Sequence, residues 1–355
     1  MKRPMLVAAG VAVLLAFAIV GGSAAAPKGG TFTAALVSDI GKFNDKGFNQ
    51  DQLAGLNQAK GKLGVKTIAL QSNSSSDYLP NITTAVREGA NIVSAAGYLL
   101  APTLSTVAQQ FPNVDFTITD DSVKGADFAK AKSVANIEGL VYASNEAGCL
   151  VGYLAGETAK ANTSGKQVIG AVGGIEIPAV DDYIVGYNYC AKLADPGVKV
   201  LVGYSQDFVA QDKCKAIAQD QIGQGSQVEF QVAGGCGLGT LNAAAQAGIW
   251  GIGVDVDQYA LAKNVLTSAL KRVDVGIYTA VQQAKNGKFQ GGSDLLFDLN
   301  NNGVGVGKIS PKVPAAFVAK MNALRAKIVN GKVKVPVAKG SDLLGLLPGA
   351  KVGPT

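Results

Sequence analysis

Residues 31–50 read TFTAALVSDIGKFNDKGFNQ. An apolar run, TFTAALV, gives way to a polar turn with two glycines. The following FNQDQLAGLNQAKGKLG carries Leu53, Leu56 and Leu63 near helical spacing. The unit is strand, turn, helix, and it recurs along the chain. VKTIALQ, NIVSAAG and VDFTITD predict strands. Between them DYLPNITTAVREG, which opens on an Asp cap and closes at Gly89, and APTLSTVAQQF predict helices. The series resumes as helix NEAGCLVGYLAGETAKA, strand QVIGAVGG, helix AVDDYIVGYNYCAKLA, strand VKVLVGY, helix DKCKAIAQDQIGQG, strand VEFQVAGG, helix LNAAAQAG and strand IWGIGVD. Strands that are near-continuous apolar runs are expected where a parallel sheet is covered on both faces. The class is therefore α/β. Two doubly wound parallel-sheet lobes are expected, because one core rarely grows past about 250–300 residues.

The change of lobe is expected near KSVANIEG, residues 132–139. Beyond Asp257 the pattern predicts helices over 260–270 and 273–286, a strand at SDLLFDL, and a last helix at VPAAFVAKMNALRAKIVNG. This remainder is too short for a third domain, so it is expected to return to each lobe and form a multi-strand hinge. The expected division is 30–136 plus 256–287 for the first lobe and 137–255 plus 288–331 for the second. A Pro/Gly/Lys-rich tail, 332–355, is expected to be loosely ordered.

Residues 1–25 have the composition of a secretory signal peptide: Lys2 and Arg3, an apolar run over 5–20, then small residues up to a cut after Ala25. An uncleaved anchor helix is the competing reading, with an apolar run short for a bilayer span. The mature chain is expected to be exported to the periplasm or exterior and soluble. No cysteine adjoins the leader, so a lipoprotein is not expected. Loss of Lys2 and Arg3 would lower the formal charge from +6 to +4, and the remaining cations are scattered. Nucleic acid is not an expected partner. There is no histidine, which excludes His-based triads, His metal sites and His general acid–base catalysis. Cys149, Cys190, Cys214 and Cys236 form no CxxC pair. Of three connectivities we favour Cys149–Cys190 with Cys214–Cys236, which would staple successive elements. Buried free thiols are the alternative.

In an open parallel sheet, ligands bind beyond the carboxyl ends of the strands. The turns there hold Asp39, Asn44, Asp45, Phe48, Asn49, Tyr98, Asp120, Asp121, Phe208, Asp255, Asp257 and Gln258, with no cluster of cations. Carboxylates that accept two hydrogen bonds suit vicinal hydroxyls, and aromatic faces suit a flat ring. A neutral sugar or nucleoside is favoured over a nucleotide. The competing reading makes these carboxylates helix caps and these aromatics core. Gly235–Gly239, in AGGCGLGT, are not in GxGxxG register and no GxxxxGK[ST] occurs, so no phosphate loop is expected.

SDIGKFNDKGFNQ, DYLPNITTAVREGANIVSAAGY, FPNVDFTITDDSV, NEAGCLVGYLAGETA, VIGAVGGIEIPAV, AGGCGLGTLNAA, IGVDVDQ and VLTSALKRVD, in this order, resemble the basic membrane protein family, the PnrA-like nucleoside-binding proteins of ABC transporters. The resemblance implies a type I periplasmic-binding-protein fold. It also implies a purine nucleoside of the adenosine, guanosine or inosine type as ligand, a membrane permease as partner, and a monomer without cofactor, metal or catalytic residues. Carried over by position, Phe48 and Phe208 would stack on the two faces of the base, and Asp39 and Asn49 would meet its edge. Asp120 and Asp255 would hold ribose hydroxyls, with Gly234 offering backbone and Lys271 completing the sugar site. Three features depart from the family: there is no lipid-attachment cysteine, Ala210 stands where an Asp often follows the second aromatic, and the four cysteines are not general. A hydrophobic staple at the first helix is the competing role for Phe48. A carboxylate-based nucleoside hydrolase, or a sensor feeding a membrane receptor, is the alternative function.

Overall fold

The structure is a computed structural model that describes residues 30–162 and 166–355; the expected leader lies outside the described residues. In chain order the elements are β1 (Thr33–Ser38), α1 (Phe48–Leu63), β2 (Lys66–Leu70), α2 (Tyr78–Arg87), β3 (Ile92–Ala96), α3 (Ala101–Val107), β4 (Asp115–Thr119) and β5 (Ile137–Tyr142). There follow α4 (Ser144–Ala161), β6 (Val168–Gly173), α5 (Pro178–Ala194), β7 (Lys199–Tyr204), α6 (Gln211–Gly223), β8 (Ser226–Val232), α7 (Gly237–Ala247) and β9 (Trp250–Asp255). The chain closes with β10 (Val265–Lys271), α8 (Val273–Lys285), β11 (Asp294–Phe297), β12 (Val304–Val306), α9 (Ala315–Val329) and α10 (Leu343–Leu346).

The strands form two six-stranded sheets, ordered β11-β5-β4-β3-β1-β2 and β12-β10-β9-β8-β6-β7. All pairings within them are parallel except β10 with β12. The two orders are the same winding used twice, and each reverses at one point, between β1 and β3 and between β6 and β8. Crevices open at such reversals. Burial follows position. Every residue of β1, β3, β5 and β6 is buried, whereas the edge strands β2 and β7 are half exposed. This is why the inner strands read as unbroken apolar runs.

Three expectations need correction. Residues 265–270, expected within a helix over 260–270, belong instead to β10 (Val265–Lys271), paired in parallel with β9. VLTSALK is a short apolar run, and periodicity alone does not separate a buried strand from a helix segment. The strand memberships also depart from the expected division: β5 and β11 lie in the first sheet and β10 in the second. The chain passes from one layer to the other after β5 and again after β10. Helix α4 packs on α5, α9 and β10, while α8 packs on α1, β3 and β4. Finally, the tail is not loose. Val335, Val337, Ala338 and Leu343 are buried, and Val337 forms a β-bridge with Val352.

The tightest helix contact joins α4 to α5. A Cβ on Gly148, Gly152 or Gly156 would fall 2.1, 2.3 or 2.6 Å from the carbonyl oxygens of Tyr183, Tyr187 and Ala191. Only glycine allows that approach. Cys149 pairs with Cys190 across the same contact, and Cys214 of α6 pairs with Cys236 at the start of α7. No helix among the described residues is long and apolar enough to cross a membrane.

Candidate functional site

The strand ends at both reversal points converge on one cavity of ≈ 570 Å³, open solvent at its mouth included. Asp39, Phe48, Asn49, Asp120, Phe208, Gly234, Asp255 and Lys271 all line it. Gly41, Asp45, Gly97, Tyr98, Leu99, Ile177, Ala179, Val180, Tyr183 and Val232 complete the wall.

Asp39 follows β1 directly. Its Oδ1 accepts from Gly41 N at 2.8 Å and from Asn49 Nδ2 at 2.9 Å. Burial pushes its carboxyl from 3.8 to about 7, against the pull of those two donors. Asn49 Oδ1 is buried without a hydrogen-bond partner, so an acceptor stands ready beside Asp39. Asp45 serves the backbone. Its carboxylate accepts from the N–H groups of Gly47, Asn49 and Gln50 at 2.8–3.1 Å and so holds the N-terminus of α1, which sets Phe48 at the first helical position. For Asp45 the capping role is the one observed. Gly97, at φ +121°, lets the turn after β3 approach. A Cβ there would lie 3.2 Å from both Asp39 Oδ2 and the Phe48 ring.

Asp120 and Asp255 each follow or end a strand in the left-handed region, at φ +67° and +64°. Non-glycine residues rarely hold that conformation, and where they do a functional constraint is a reasonable inference. Asp120 receives both of its hydrogen bonds from Lys271 Nζ, at 2.8 and 2.9 Å, and the two side chains are only 8% and 3% exposed. Lys271 ends β10 and Asp120 follows β4, so this ion pair joins the two sheets. The Lys271 ammonium also lies over the rings of Tyr183, Phe48 and Tyr142, at 5.0, 5.4 and 5.8 Å. Burial raises Asp120 while Lys271 opposes it. Asp255 accepts from Tyr183 Oη at 3.1 Å. Burial lifts it to about 7, with Lys271 opposing and Asp120 and Asp45 adding.

A second link crosses the cleft. Gln258 Nε2 donates to Lys46 O at 2.9 Å, while its Oε1 accepts from Gln231 Nε2 at 2.7 Å and Val254 N at 3.1 Å. The loop that carries Phe48 is thereby tied to the far sheet. Phe208 stands in the loop after β7, its ring against Gly174 and its carbonyl accepting from Cys236 N at 3.0 Å. Gly234, at φ +53°, lies beside that carbonyl.

The lining thus holds four carboxyls against one ammonium, and that ammonium is already bound to Asp120. An anionic ligand would meet repulsion and no free cation; a neutral ligand rich in hydroxyls would meet acceptors. Tyr183 escapes a reading confined to strand ends, because it sits inside α5. Its spacing of three from Val180 places both on one helix face, the only signal in the sequence for it. Among the described residues no group of three or more His, Cys, Asp or Glu could hold a metal ion.

The family described as "ABC transporter substrate-binding protein PnrA-like" matches residues 32–339. A relative from Listeria monocytogenes, described as a CD4+ T-cell-stimulating antigen, is 32% identical over 329 residues, spanning 86% of this chain and 88% of its own. The ABC transporter nucleoside-binding protein BmpA of Lactococcus lactis is 31% identical over 328 residues, 85% of this chain and 88% of its own. Among solved structures, an ABC transporter system solute-binding protein from Aeropyrum pernix K1 matches the fold with a TM-score of 0.77 at 23% identity, covering 85% of this chain and 92% of that one. With the family match running through both sheets and relatives above 30% identity over most of its length, this chain belongs to the PnrA-like family of ABC transporter substrate-binding proteins.

Proposed function

We propose that this chain binds a purine nucleoside outside the cytoplasmic membrane and delivers it to the permease of an ABC importer, acting as a monomer and without turnover. The base lies between Phe48 and Phe208, with Asp39 and Asn49 at its polar edge. Asp120, Asp255 and Lys271 take the ribose hydroxyls, and the Gly234 backbone closes the sugar end. The observation that carries this reading is the convergence of those eight residues on one cavity whose single ammonium is already neutralised. Acceptor oxygens suit a ribose diol, and the absence of an unpaired cation in the lining disfavours nucleotides. The relative from Lactococcus lactis described as nucleoside-binding supports the ligand class.

The test is a calorimetric and thermal-shift screen of residues 26–355 against nucleosides, free bases, nucleotides, sugars and amino acids. A ligand at a hundred times its dissociation constant stabilises the native state by about 2.7 kcal/mol. We expect a purine nucleoside to bind, its nucleotide to bind far more weakly, and Phe48→Ala to lower affinity by about 1–3 kcal/mol, the range for loss of one stacking face. Binding of sugars or amino acids alone overturns the proposal. Release of free base on incubation with inosine would favour a hydrolase.

A further inference from the structure

Ser341 and Asp342 are neighbours in the chain, yet they are anchored on opposite layers. Ser341 Oγ donates to Asp182 Oδ2 at 2.6 Å, and Ala338 N donates to Asp182 Oδ1 at 2.7 Å. Asp182 belongs to α5, which packs on β6 and β8 of the second sheet. Asp342 Oδ2 accepts from Ser122 N at 2.9 Å. Ser122 lies two residues past Asp120, in the turn that leaves β4 of the first sheet. The same Ser122 N–H reaches Asp121 Oδ1 at 2.9 Å, and Asp294 of β11 takes Ser122 Oγ and Val123 N at 2.7 and 2.9 Å. Upstream, Asn145 Nδ2 donates to the carbonyls of Val335 and Pro336 at 3.1 and 3.3 Å. The segment from Val335 to Leu343 is therefore fixed at both ends and sunk into the protein, with Val337 and Leu343 buried beside Val141. A smaller space of ≈ 330 Å³ lies against it and shares Tyr98, Asp120 and Ala179 with the main cavity. The family match ends at residue 339, so the two anchoring side chains lie beyond it.

We propose that residues 335–343 form a strap that positions the Asp120 turn against α5 and slows release of ligand from the main cavity. The reasoning is geometric and rests on the reading of that cavity as the ligand site. Consecutive Cα atoms stand about 3.8 Å apart. While both anchors hold, Asp182 and Ser122 cannot separate by more than a side chain's reach. Two-lobed binding proteins release ligand by hinge opening, and opening here requires one anchor to break. Neither Asp342 nor Ser341 lines the main cavity; they act through the turn that carries Asp120 and through α5.

The experiment compares wild type, the double variant Ser341→Ala with Asp342→Ala, and Asp342→Asn, using inosine as probe. Asparagine keeps an acceptor for Ser122 N–H, so it is the conservative control. Ser341 Oγ also accepts from Leu343 N at 3.3 Å, so the double variant loses at least three side-chain hydrogen bonds, and dissociation is expected to quicken at least about tenfold. We expect that acceleration in the double variant, with association rate little changed, and near wild-type dissociation in Asp342→Asn. In parallel, small-angle scattering of the ligand-free proteins is expected to show a larger radius of gyration for the double variant alone. Equal dissociation rates and equal radii overturn the strap. If inosine does not bind wild type, it is the nucleoside reading that fails, and the scattering comparison alone decides for or against the strap.

Discussion

Asp39→Asn isolates the electrostatic cost of one buried carboxyl in the cavity. Asp39 is 5% exposed, and burial raises its pKa from 3.8 to about 7. A group whose folded pKa lies above its unfolded value holds its proton more tightly in the folded state. Its contribution to stability is full below about pH 4 and is lost as pH rises to about 7. Each unit of difference is worth about 1.4 kcal/mol, so the loss is about 4 kcal/mol once Asp39 is ionised. Asparagine does not titrate and retains an oxygen for Gly41 N and Asn49 Nδ2. The variant and wild type should therefore be near equal in stability at about pH 4, and the variant should be more stable by about 4 kcal/mol at about pH 8. The assay is urea denaturation of both ligand-free proteins across that range, taking the difference at each pH so that titrating groups not coupled to Asp39 cancel. A difference that stays flat with pH, or that falls as pH rises, refutes the argument that burial dominates at Asp39.

Lys271→Met removes one partner of a buried pair and should cost about 3–5 kcal/mol at neutral pH. Because the Asp120 left behind is already raised by burial, protonation relieves it, and the loss measured by urea denaturation should shrink as pH falls and grow as pH rises. Replacing Cys149 and Cys190 together by serine opens a span of 41 residues and should lower stability by about 4 kcal/mol; the 22-residue span of Cys214 and Cys236 should cost about 3.4 kcal/mol. The two double variants, compared by denaturant midpoint, should keep that order.

Much of this architecture is legible in the residues themselves. Inner strands are buried on both faces and so announce themselves as apolar runs, and the turns after them carry Asp39, Asp120 and Asp255 where a doubly wound sheet puts its ligands. What escaped has physical causes. VLTSALK is too short and too evenly apolar for periodicity to tell strand from helix. The membership of β5 and β10 depends on where the chain crosses between layers, which no local pattern encodes. Tyr183 looks like any aromatic in a buried helix until β9 places Asp255 opposite its hydroxyl. The tail reads as loose because its Pro and Gly suit a surface segment. Its partners, Asp182, Ser122 and Asn145, lie 156–220 residues away, beyond any local signal.

The close approach of α4 and α5 has a consequence for how the protein matures. The backbones meet so tightly at Gly148 and Gly152 that docking of the two helices already sets Cys149 opposite Cys190, their Cα atoms 4.9 Å apart. The other bridge joins the next two cysteines along the chain. For a polypeptide threaded through an export channel with its N-terminus leading, the first two thiols to emerge are each other's partners, and so are the last two. Vectorial oxidation in order of emergence therefore gives the native set directly, without the slow exchange of mispaired bridges that a crossed connectivity would require.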